Sequence, residues 1–123
     1  MTEMLSEPEF ENVVFLNKTS MVIPETKVRV IGCTLWSYVN EESSLAVQMS
    51  LRDYHVITVE SEKGERGLTV KDTVGWFSEE VEFIRKEIEK AKENNEKVII
   101  FTHHAPVINM GGTEPQFFHL KTN

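Results

Sequence analysis

The sequence lacks the features that would place it in several large classes of protein. Its 123 residues include one cysteine, Cys33, which cannot form an internal disulfide and fits a reducing compartment. We expect Cys33 to be a buried small hydrophobe. No apolar run is long enough to cross a membrane, and the acidic stretch Met1–Phe10 does not resemble a signal peptide. These absences are compatible with a cytosolic or a nuclear protein, and we take a cytoplasmic location with no membrane partner as the prediction.

Basic residues are also scarce relative to acidic ones. The chain has 13 Lys and Arg against 20 Asp and Glu, for a formal net charge of -7. Because nucleic-acid binding needs clustered positive charge, nucleic acid is not an expected partner. Hydrophobic residues make up 40% of the chain, enough for a core, and the length suits one domain over residues 1–123.

The first half of the chain shows several short β-rich runs. Lys27–Trp36 is the best of them: it alternates at first and then becomes continuously apolar, which predicts an edge that is exposed at its start and buried at its end. Leu45–Leu51 fits either a short helix or an irregular segment, and Ser61–Gly67 is predicted to be a loop. Further short strands are predicted at Asn12–Asn17, Ser20–Ile23 and Val56–Val59.

The clearest element is a helix from about Val70 to about Asn94. Its apolar residues recur at steps of three and four, and Thr69 followed by Asp72 predicts a capping box. The continuously apolar run Lys97–Thr102 then predicts a buried strand. A long amphipathic helix that leads into such a strand indicates an α/β fold.

Two adjacent histidines, His103 and His104, follow the end of this strand. In open α/β sheets, functional groups collect at the carboxyl ends of strands. Adjacent side chains on extended backbone point in opposite directions, so at most one of the pair would bind a given metal ion. The residues alone leave two alternatives open, a metal or catalytic element and a pair of ordinary loop histidines.

The stretch Val98–Pro106, with its Thr-His-His-Ala-Pro string, resembles a metal-ligand motif of the calcineurin-like metallophosphoesterases. Ile31–Trp36 resembles the strand of that family that ends in Gly-x-Thr-Leu-Trp, and Thr69–Phe83 resembles the helix that precedes the histidine strand. The resemblance covers roughly residues 12 to 115. It implies part of a calcineurin-like sandwich, with β strands, one long amphipathic helix and a buried strand that ends in the His-His-Ala-Pro loop.

The resemblance also implies a chemistry. His103 would be a metal ligand, and His104 would lie beside the site or contact the substrate as a catalytic residue. The implied cofactors are divalent ions of the Mn, Fe or Zn class, which would clamp the phosphate and lower the pKa of an attacking water. The implied substrate is a phosphorylated small molecule or a phosphoprotein.

The sequence departs from the family pattern, because the Gly-Asp, Gly-Asn-His and Gly-His-x-His strings are missing. Asp53-Tyr54-His55 is the one Asp-x-His string, and its position after the Thr-Leu-Trp strand indicates coincidence; His119 is predicted to be a surface or tail residue. We therefore predict a truncated phosphoesterase, inactive as this chain alone, whose single domain is incomplete and needs a missing half or a protein partner. The alternatives are a non-catalytic phosphoesterase-like binding module and an unrelated α/β domain.

Overall fold

A computed structural model describes residues 11–106 of the chain, which form a mixed α/β structure with two small sheets and one long helix. The predicted α/β class is confirmed at this level. In chain order the elements are β1 (Thr19–Val22), β2 (Val28–Cys33), α1 (Glu41–Ser50), α2 (Asp53–Val56), β3 (Thr58–Ser61), β4 (Gly64–Gly67), α3 (Val70–Glu93) and β5 (Lys97–Thr102).

The larger sheet has the order β1-β2-β5. β1 pairs with β2 antiparallel, and β5 pairs with β2 in parallel, with Val28 opposite Lys97 and Cys33 opposite Thr102. The prediction that the Lys27–Trp36 run forms an edge is wrong, because β2 is the central strand. Its second half is nevertheless buried as expected, and Cys33 is only 7% exposed.

Helix α3 begins and ends where the sequence predicts. The Thr69 side chain accepts from the Asp72 backbone N–H, and the Asp72 carboxylate accepts from the Thr69 backbone N–H, so the predicted capping box is present. Asn95, directly after the C-cap residue Asn94, has a φ of +54° and ends the helix. Within residues 11–106, no helix combines the length and the apolar character needed to span a membrane.

The run Ser61–Gly67, predicted to be a loop, is instead most of a hairpin. β3 and β4 pair antiparallel with Ser61 opposite Gly64, which leaves two residues in the turn. Gly64 has a φ of +102°, a conformation that favours glycine. Both strands are mostly exposed, so the hairpin has little of the apolar pattern by which strands are recognised.

The run Leu45–Leu51, for which the sequence fits either a short helix or an irregular segment, belongs largely to the helix α1. Asn40 caps this helix by accepting from the Ser43 backbone N–H. The buried cluster beneath α1, α2 and the start of α3 comprises Val39, Val47, Tyr54, Leu68 and Val70.

The predicted strand over Asn12–Asn17 is absent, and this stretch is irregular. It lies across the face of the sheet at Gly32, where a Cβ atom would overlap Leu16. A glycine is therefore required at this position of β2 by the close approach of the irregular segment.

The prediction that Lys97–Thr102 is a buried strand is correct for the strand and wrong for its burial. Ile99 is 45% exposed, Ile100 39% and Phe101 63%. β5 is the outer strand of its sheet, and among residues 11–106 no other strand pairs with its free side. A continuous apolar run is typical of a strand that is buried on both faces, but it does not show which part of the protein covers that strand.

Candidate functional site

The two strings that carry the family resemblance meet at the carboxyl ends of β2 and β5. The Thr34 carbonyl, just past β2, accepts hydrogen bonds from the backbone N–H groups of His103 (3.2 Å) and His104 (3.0 Å), just past β5. The Thr102 hydroxyl donates to the His104 carbonyl at 2.9 Å. The two bonds to Thr34 fix the histidine pair against the end of β2, and the bond from Thr102 holds the turn that follows β5.

The two imidazoles lie edge to face, with 4.9 Å between ring centroids and 73° between ring planes. His103 is exposed, whereas His104 is half-buried and lies against the Trp36 indole with 4.9 Å between ring centroids. The pair therefore divides into one imidazole that is open to solvent and one that is held by an aromatic neighbour.

The environment of His104 favours its neutral form. Burial lowers its pKa, the neighbouring His103 lowers it further, and the negative charge of Asp53 acts in the opposite direction. The Nε2 atom of His104 is buried and has no hydrogen-bond partner within the described range, residues 11–106. A buried nitrogen without a partner is costly, and such groups occur at catalytic and ligand sites.

Trp36 anchors this end of the sheet. Its backbone N–H donates at 2.8 Å to the Glu80 carboxylate, which is only 3% exposed, and its indole also contacts Tyr54 and Trp76. The preceding residue, Leu35, has a φ of +53°, a strained conformation for a leucine. Trp36 is the last residue of the Gly-x-Thr-Leu-Trp string in the sequence, but the sequence did not predict that its ring would pack against His104.

The Asp53-Tyr54-His55 string separates into residues with different surroundings. The His55 Nε2 atom lies 3.1 Å from the carbonyl oxygen of Met49 on an exposed surface, and Tyr54 is buried with its hydroxyl 2.8 Å from that of Thr73. Asp53 acts on the site through its charge at His104, and Tyr54 reaches it only through its contact with the Trp36 indole. No signal in the sequence predicted this proximity. His119 lies outside the described residues.

A small cleft of about 230 Å³ adjoins the site on the side of Trp36 and α3. Its opening is partly charged, because Lys18 pairs with Glu79 at 2.7 Å beside it. The cleft is smaller than most pockets for drug-sized ligands and suits a small polar group. It is lined by Asn17, Lys18, Thr34, Trp36, Trp76 and Glu80.

The described residues do not form a complete metal site. No group of three or more His, Cys, Asp or Glu side chains between residues 11 and 106 is arranged to hold a metal ion. A stable site of the zinc type needs three or four protein ligands, and a two-metal site needs more. His103 is exposed at a strand end and is suited to contribute one ligand, but the residues present do not fit a two-metal centre by themselves.

No protein-family profile matches the chain, and no solved structure matches it. The chain is similar to an uncharacterized protein of Acanthamoeba polyphaga mimivirus, with 31% identity over 101 residues. The match includes 82% of this chain and 34% of the viral protein. The chain therefore spans about a third of the length of the curated relative that it matches.

Proposed function

We propose that this chain is part of a calcineurin-like metallophosphoesterase, in which His103 is one ligand of the metal centre and His104 lies beside the substrate. The observation that carries the proposal is the contact between two separate motifs. The Thr-Leu-Trp string after β2 and the Thr-His-His-Ala-Pro string at the end of β5 are joined by the Thr34 carbonyl and by the contact between the Trp36 and His104 rings. The partial calcineurin-like sandwich and the cytoplasmic location belong to the same proposal.

The different surroundings of the two histidines support different roles. The exposed imidazole of His103 is accessible to a metal ion, and divalent Mn, Fe and Zn all accept imidazole ligands. Burial lowers the pKa of His104 and so favours its neutral form, whose free nitrogen is suited to a hydrogen bond with a phosphate ester or with a metal-bound group. The substrate would be a phosphorylated small molecule or a phosphoprotein.

The chain alone is proposed to be inactive, because the described residues supply too few ligands for two metal ions. A bound metal pair would polarise the phosphate and activate water. The remaining ligands would come from a missing half of the domain or from a protein partner.

Paramagnetic broadening by Mn²⁺ tests the role of His103, because it detects even weak binding by one ligand. In an NMR titration, we expect the signals of Thr34, Trp36, His103 and His104 to broaden first. His103→Ala should abolish this pattern, and His104→Phe should preserve it. His55→Ala is the matched control, because it removes an exposed imidazole from another surface.

Two results would contradict the proposal. One is broadening centred away from the ends of β2 and β5, and the other is broadening at this site that is unchanged in His103→Ala. Hydrolysis of p-nitrophenyl phosphate by the chain with Mn²⁺ should not exceed that by Mn²⁺ alone. A higher rate that His103→Ala abolishes would overturn the proposed inactivity while supporting the site.

A non-catalytic binding module is the second candidate function, and the incomplete ligand set favours it. The two candidates differ in what a larger assembly would do. A phosphoesterase assembled with its missing half should lose activity in His103→Ala, whereas a binding module should keep its partner affinity in that variant.

A further inference from the structure

The outer edge of β5 has a regular row of backbone groups that β2 does not use. The backbone N–H groups of Lys97 and His103 donate towards β2, to the carbonyls of Lys27 and Thr34. Because backbone groups alternate in direction along a strand, those of Val98, Ile100 and Thr102 point away from β2. Within residues 11–106 no strand pairs with these outward groups. Such an edge is a template for the addition of another strand.

Both faces of β5 are apolar beside this edge. On the side of α3, an open groove of about 450 Å³ runs between the helix and β5, and Ile100 forms part of its wall. On the opposite side, Ile99 and Phe101 are 45% and 63% exposed. The groove is lined by Leu35, Phe77, Val81, Ile84, Ile100, Thr102 and Pro106. A strand that adds to this edge must therefore have apolar side chains on both of its faces.

β5 is itself a strand of this kind, since Val98-Ile99-Ile100-Phe101 is apolar on both faces. We propose that the outer edge of β5 pairs antiparallel with β5 of a second copy of this chain, around a two-fold axis that passes between the two Ile100 residues. With that axis perpendicular to the sheet, Val98 lies opposite the partner's Thr102, and Ile100 lies opposite the partner's Ile100. All of these are residues whose backbone groups point outward, so each opposed pair exchanges hydrogen bonds.

The same register also matches the side chains. Ile99 lies opposite the partner's Phe101 on the open face, which is a favourable pairing of a β-branched with an aromatic side chain. The partner's Ile100 and Val98 point to the side of α3 and enter the apolar groove. The interface is isologous, because one surface complements itself around the axis.

The lack of charge in the Val98–Thr102 part of β5 makes the same strand of a second copy a better partner for this edge than the β3–β4 hairpin would be. The paired segment Val98–Thr102 carries no charge, so no like charges lie opposite each other in the ladder. The β3–β4 hairpin, by contrast, carries Glu60, Glu65 and Arg66. Each copy has a net charge of -7, so the two copies repel each other at long range and salt should strengthen the dimer.

Analytical ultracentrifugation of the full chain across a wide concentration range tests the proposal. Phe101→Lys places a charge on the open face of the interface, and Ile100→Pro removes an outward N–H that β2 does not use. Leu45→Lys is the matched control, because it places the same charge at a 70% exposed apolar residue on α1. Circular dichroism checks that each variant keeps its helices.

We expect a concentration-dependent species of twice the monomer mass that is favoured by added salt. Phe101→Lys and Ile100→Pro should each weaken dimerisation by at least about tenfold, because each change occurs twice in a two-fold interface. Leu45→Lys should dimerise as the unchanged chain does. Hydrogen exchange at the backbone N–H groups of Ile100 and Thr102 should slow as the concentration rises.

Three outcomes would overturn the proposal. The chain could be monomeric at every concentration, or its association could persist in both β5 variants. Protection of the outward N–H groups in a monomer would show that another segment of the same polypeptide covers this edge. The dimer and the metal-binding role of His103 are tested by different variants, so either can fail alone.

Discussion

The two ends of the parallel pair β2–β5 hold buried polar side chains in opposite ways. At the amino end, Arg29 is 5% exposed and donates from Nε to Glu96 at 2.7 Å and from a terminal nitrogen to Glu87 at 3.1 Å and to the Ser20 hydroxyl. These contacts, led by the hydrogen bond to Glu96, raise the pKa of Arg29 against the effect of burial. The charge is enclosed with its partners in place.

At the carboxyl end, the buried Nε2 of His104 has no hydrogen-bond partner in the described part of the chain. The chain here also adopts a strained φ at Leu35 and packs Trp36 against the imidazole. The amino end therefore encloses a charge whose partners are in place, whereas the carboxyl end encloses a nitrogen that the described residues leave without a partner. Substitutions at the two ends should therefore change stability in opposite directions.

The largest effect is expected for Arg29→Met. Removal of the guanidinium leaves Glu96 and Glu87 without their cation in a largely buried setting, which should lower the free energy of unfolding by about 3 kcal/mol. Urea denaturation measures this change. Lys18→Met is the control, since its pair with Glu79 is exposed and should contribute less than about 1 kcal/mol. Equal losses in the two variants would show that the Arg29 network is no more than a surface pair.

His104→Phe should have a smaller effect of the opposite sign. Phenylalanine keeps the ring against Trp36 and removes a buried nitrogen that lacks a partner, so the free energy of unfolding should rise by about 1 kcal/mol. The measurement is again urea denaturation. A loss of stability would show that the nitrogen is satisfied in the folded protein, and the contrast between the two ends would disappear.

The smallest effect is a dependence of stability on pH near neutrality. The pKa of His104 is below its usual value of 6.5, so the unfolded chain binds more protons than the folded chain between these two values. The contribution of His104 is fully present above the unfolded pKa and is lost as the pH falls towards the folded pKa. Denaturation at pH values between about 7.5 and 5.5 should show this loss in the natural chain. His104→Phe should show a flatter profile.

The sequence predicted the elements with strong local signals and missed those defined by distant contacts. The helix α3 carries its own apolar period and capping box, so its start and its end at Asn94 could be predicted. The hairpin β3–β4 has neither signal, because it is mostly exposed. The burial of β5 could not be predicted either, since it depends on what lies beyond the edge of the sheet and not on the strand.

The candidate site was predicted in the same uneven way. The position of His103 and His104 after a strand follows from the local pattern, and the structure places both there. The Trp36 ring that contacts His104 and the charge of Asp53 come from segments that are far away in sequence. Pairwise contacts of this kind leave no periodic trace in a single sequence.

The parallel pairing of β2 with β5 also has a consequence for how the chain is made. Val28 is synthesised about 70 residues before Lys97, the residue that lies opposite it in the parallel pair. At the usual pace of translation this delay is on the order of 10 s, during which β2 lacks its parallel neighbour. Contacts so distant in sequence also slow folding, while α3 can form early from its local signals. Among the described strands β5 emerges last, and it adds to β2 and brings both histidines to the end of that strand in the same step.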